Sequence, residues 1–91
     1  MLKDNTLVFI KRHWKNEEDY AFFVFAIQET VNKFKEAIIN NELPNTKQAL
    51  FECVKAWLDK FENEAIKDAP EKIRIYNCFA FSLINELLED F

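Results

Sequence analysis

The stretch that decides the fold is NEEDYAFFVFAIQETVNKFKEAIINN, residues Asn16 to Asn41. Tyr20, Phe23, Ile27, Val31, Phe34 and Ile38 recur in it at steps of three and four, with Val24 alongside. That is the spacing of one helical face. Asn16 stands where a side chain can cap the first turn, and Glu17, Glu18 and Asp19 follow where a helix dipole favours acids. Asn40-Asn41 can take the positive φ that usually ends a helix at glycine. The spacing predicts a helix to about Asn40.

Two further stripes lie on the C-terminal side. Leu50, Val54, Trp57 and Phe61, flanked by Phe51 and Leu58, predict a helix that starts at Asn45 or Thr46, with Gln48 as capping-box partner of Asn45. Ile73, Tyr76, Ala80, Leu83, Ile84, Leu87 and Phe91 predict another that opens at Asp68-Ala69-Pro70-Glu71, with Asp68 as cap. On the N-terminal side, Leu7, Ile10 and Trp14 fit a short helix, although Leu7-Val8-Phe9-Ile10 also suits a buried strand. The helical reading places Lys11, Arg12 and Lys15 at the end of the helix, where cations complement its dipole. Residues 1–91 therefore read as a single all-α domain. The architecture expected is a small helical bundle of three long antiparallel helices plus a short N-terminal helix.

Composition narrows the function. The chain has no glycine, which removes the phosphate-cradling P-loop and dinucleotide fingerprints. It has one histidine, His13, too few for two-histidine zinc motifs or di-iron bundles. Ser82 sits mid-helix, Cys53 and Cys78 have no base or ligand at useful spacing, and Glu62 and Glu64 fall on different helical faces. No enzyme activity, cofactor or metal is expected. The cysteines read as buried reduced thiols, with a bridge between helices as the alternative. No run approaches the roughly 18 apolar residues of a membrane span, and the first residues lack the apolar region of a signal peptide, so a cytoplasmic location is expected.

The net charge is −4, unevenly spread. Lys3, Lys11, Arg12 and Lys15 against Asp4 give residues 1–15 a charge of +3 and leave −7 on the remainder. An acidic body disfavours general nucleic-acid binding and suits a basic protein partner.

Ten Phe, two Trp and two Tyr make the chain rich in aromatics, and not all of them fit the stripes. Phe22 and Phe25 lie roughly 150° from the core direction of their helix, on a face shared with Glu18 and Glu29. On the last helix Ile75 and Cys78 point off the core face, and Phe79 and Glu86 lie on its flank. Glu86 also stands near a helix C-terminus, where an acid opposes the dipole. The N-terminal helix can cover one of these outer faces. An aromatic outer face is expected to meet a second protein, and the candidates from the two faces are Phe22, Phe25, Ile75 and Phe79 as anchors, with Glu18, Glu29 and Glu86 supplying charge complementarity.

In size, acidity and exposed aromatics the chain resembles small bacterial or phage inhibitors and toxin-neutralising immunity proteins, a likeness of kind that no motif carries. A non-catalytic protein-binding module is the leading expectation. The alternatives are a nucleic-acid-associated regulator using Lys11, Arg12, Trp14 and Lys15, and a homodimeric structural protein.

Overall fold

The computed structural model describes all 91 residues, and each predicted stripe forms a helix: α1 (Asp4–His13), α2 (Glu17–Ile39), α3 (Lys47–Glu64) and α4 (Lys72–Leu87). There is no strand. The Leu7–Ile10 run is helical, with Thr6 and Ile10 fully buried. The ends of α2 form as their residues dictate. Asn16 accepts from the backbone N–H groups of Glu18 and Asp19 at 2.9 and 3.2 Å, and Asn41 takes φ 60° just past the end.

α3 starts where expected but without the capping box, and α4 starts later than expected. Thr46 is the N-cap of α3 without a side-chain bond, and Gln48 donates to Glu52 instead of closing a capping box. Helix α4 begins at Lys72, beyond the expected Asp68 cap. Pro70 disfavours the α conformation at Ala69, so a helix cannot run straight out of Asp68. Glu71, at the N-cap, accepts from Arg74 Nη1 at 2.6 Å.

α4 is the centre of the bundle: α1, α2 and α3 all pack on it, and α1 also touches α2. No Cα of α2 comes within 8 Å of one of α3, so these two flank α4 and meet only through side chains such as Phe34 and Trp57. The Cα envelope is accordingly flat, 37 × 29 × 18 Å. Aromatic rings thread the core from end to end. Trp14 stacks on Phe23 at 4.1 Å, Phe23 meets Phe79 edge-on at 6.3 Å, and Phe79 lies against Phe61 and Trp57 at 4.6 and 6.0 Å. Cys53 and Cys78 are unpaired.

The central position of α4 rotates its buried side away from the stripe read in the sequence. Cys78, Phe79, Ser82, Asn85 and Glu86 are buried, whereas Ile73 is 76% exposed and Phe91 52%. Counting apolar residues locates the face of a helix that packs on one neighbour. α4 has three, and one of them is met with polar groups.

Candidate docking surface on the outer face of the second helix

Seven residues were candidates for a partner surface, and the fold separates them into two groups. Phe22 and Phe25 remain outside at 63% and 66% exposure, with Glu18 and Glu29 exposed beside them. All four point away from the side of α2 that buries Phe23, Ile27, Val31 and Phe34. The ring of Phe22 is steadied by an edge-on contact with Phe23 at 5.3 Å, so one anchor is held in place before any partner arrives. Glu18 and Glu29 form no salt bridge and keep their charge available.

The α4 candidates belong to the interior. Phe79 is 5% exposed and inside the aromatic core, and Ile75 is half-buried against that core. Glu86 is 8% exposed, and its carboxylate serves the start of α1. The backbone N–H of Lys3 and the hydroxyl of Thr6 both donate to Glu86 Oε2, at 2.8 and 2.6 Å. An acid near the C-terminus of one helix thus answers the positive N-terminal end of another.

Asn85 extends the network, donating from Nδ2 to Thr6 Oγ1 at 2.7 Å and to Asn5 Oδ1 at 2.9 Å. Lys3 Nζ donates to the Asn85 carbonyl at 2.8 Å and pairs with Asp90 at 2.7 Å; the bond to Asp90 raises the Lys3 amine above its ordinary value. α1 is therefore the cover over the outer face of α4, held by polar contacts that a search for anchors misassigns to a partner. The signal that could have found it is Glu86 itself, an acid at the wrong end of its own helix.

Beneath the other end of α1 the fit is less complete. Burial pushes the Cys78 thiol up, while neighbouring Trp14 and Ser82 and the charge of Arg74 pull the other way. Trp14 Nε1 and Ser82 Oγ are buried without a hydrogen-bond partner. The Arg74 guanidinium lies 4.4 Å from the Trp14 ring centre.

The basic N-terminal segment is partly consumed by the fold. Trp14 is 6% exposed and stacked on Phe23, which leaves no free face for a nucleic-acid base. Lys11 pairs with Glu17 at 2.7 Å and lies over the Tyr20 ring. No three His, Cys, Asp or Glu side chains converge as metal ligands, and no helix is long and apolar enough to cross a membrane.

Comparison with protein-family models, with curated proteins and with solved structures returns no match.

Proposed function

We propose that this chain is a non-catalytic protein-binding module of the small acidic inhibitor or immunity type, and that it docks its partner on the outer face of α2. The observation that carries this reading is the exposure of Phe22 and Phe25, 63% and 66%, between the unpaired acids Glu18 and Glu29. Each ring left in water forgoes about 1.5–3 kcal/mol of burial. Aromatic anchors within a charged rim are what a protein interface needs, and the acids favour a partner with a basic surface.

Affinity capture from the cells that make the protein tests this, with wild type compared with Phe22→Glu, Phe25→Glu and the control Ile39→Glu. Ile39 is 78% exposed at the far end of α2. The two phenylalanine variants should lose the captured protein by about tenfold or more, and Ile39→Glu should keep it. Equal capture by all three variants, with unchanged helical circular dichroism, removes the reading.

A further inference from the structure

A second apolar surface lies on α4 and its neighbours, away from the outer face of α2. Phe79 and Leu83 of α4 face inward, and about half a helical turn away Phe81 and Ile84 are 39% and 37% exposed. α1 and α3 extend this strip. Phe9 stacks on Phe81 at 4.0 Å, and Phe51, 39% exposed, shares a shallow groove with Ile84.

The rims of the two surfaces differ in sign. Glu18 and Glu29 flank the α2 face, with Lys33 and Glu36 further along the same side, so acids outnumber bases there three to one. Around the α4 strip, Lys47 and Lys55 lie one helical turn on either side of Phe51, and Arg12 stands on the exposed side of α1; Glu89 is the acid in the groove. None of these three cations is engaged in a salt bridge.

We infer that the occupant of the α4 strip is the outer face of α2 of a second copy, so that the chain associates head to tail. This rests on the reading of the α2 face as a docking surface and names a partner for it. Two different apolar patches with rims of opposite charge make a heterologous contact, which repeats from copy to copy, whereas a symmetric dimer buries one patch against itself. Aromatic and aliphatic side chains meet at its centre, and glutamates meet lysines and arginine at its edge. A partner of higher affinity for the α2 face competes with the neighbouring copy for the same residues.

Sedimentation of the purified chain at low salt between about 10 µM and 1 mM tests this, since interfaces of small size dissociate in that range. The wild-type mass should rise with concentration past the dimer, and 0.5 M salt should weaken the rise. Phe22→Glu loses one surface and Phe51→Glu the other, so each alone should stay monomeric. Their equimolar mixture should form a dimer and stop there, because each variant keeps the surface its companion lacks. Phe81→Glu, mixed in the same way, guards against a fault peculiar to Phe51→Glu, and circular dichroism establishes that each variant is folded. A monomeric wild type at 1 mM, a mass that halts at the dimer, or folded variants that do not complement one another each overturns the inference. None of those results bears on the capture of a foreign protein, which judges the α2 face separately.

Discussion

The outer face of α2 and the α4 face that carries Cys78, Ser82, Asn85 and Glu86 both lie off the stripes read in the sequence, yet one is bare and the other covered. On α4, Cys78, Ser82, Asn85 and Glu86 are at most 8% exposed beneath α1. On α2, Phe22 and Phe25 stay in solvent. A ten-residue helix spans only about 15 Å and cannot shelter both. Apolar content does not decide between the faces, because the two rings of α2 offer the greater gain. Polar chemistry does. Glu86 and Asn85 can satisfy the start of α1, whereas Glu18 and Glu29, the acids beside Phe22 and Phe25, bond no other helix.

This contrast can be broken by mutation. The largest effect is expected from Phe79→Ala, which empties the crossing point of the ring system and should cost about 3–5 kcal/mol in urea unfolding. A loss comparable to that of a surface residue contradicts the placement of Phe79 in the core. Next, Glu86→Ala strips the acceptor from Lys3 and Thr6 and should cost about 2–3 kcal/mol, lowering Tm by roughly 10–20 °C. Amide exchange should then accelerate across α1 ahead of α2–α4. Glu29→Ala, the corresponding change on the bare face, should stay within about 0.5 kcal/mol. Equal losses for Glu86 and Glu29 make α1 an unanchored segment and end the comparison.

A smaller effect is expected at alkaline pH. Burial raises the Cys78 thiol above its ordinary value, so the native state holds this proton more tightly than the unfolded chain. The contribution to stability is complete below the unfolded thiol's pKa and is lost as pH rises through the folded one. Wild-type stability should therefore fall more steeply above the ordinary thiol range than that of Cys78→Ala, with the two curves parallel near neutrality. Parallel curves throughout show that the thiol is not sheltered. The smallest effect belongs to Phe22→Ala and Phe25→Ala, within about 0.5 kcal/mol of wild type in unfolding experiments. A loss above 2 kcal/mol at either position means that the ring is packed after all.

The parts of the fold legible in the sequence are those governed by one neighbour or by local chemistry. The α2 stripe, the Asn16 cap, the positive φ at Asn41 and the outward direction of Phe22 and Phe25 follow from spacing and residue type. α4 was legible as a helix but not in its rotation. Ile73, Ile84 and Phe91 suggested an inward face, and all three are exposed, while Phe79 and the polar residues lie inside. An apolar periodicity cannot reveal a buried polar face, which depends on groups some 80 residues away in the chain. Phe81 and Ile84 were missed as surface residues for the same reason, since their exposure follows from that rotation, whereas Phe51 lies on the flank of the α3 stripe.

The placement of the two indoles gives the molecule separate optical reporters. Trp14 is sealed between the Phe23 ring and the Arg74 guanidinium at the end of α1, whereas Trp57 is half-buried and stacked with Phe61 at 5.0 Å. Emission from a Trp57→Phe protein follows the release of α1 alone, and emission from a Trp14→Phe protein follows the α3–α4 ring stack. Red shifts that coincide in denaturant mark one cooperative unit, and an earlier shift of Trp14 marks α1 as the first element to leave.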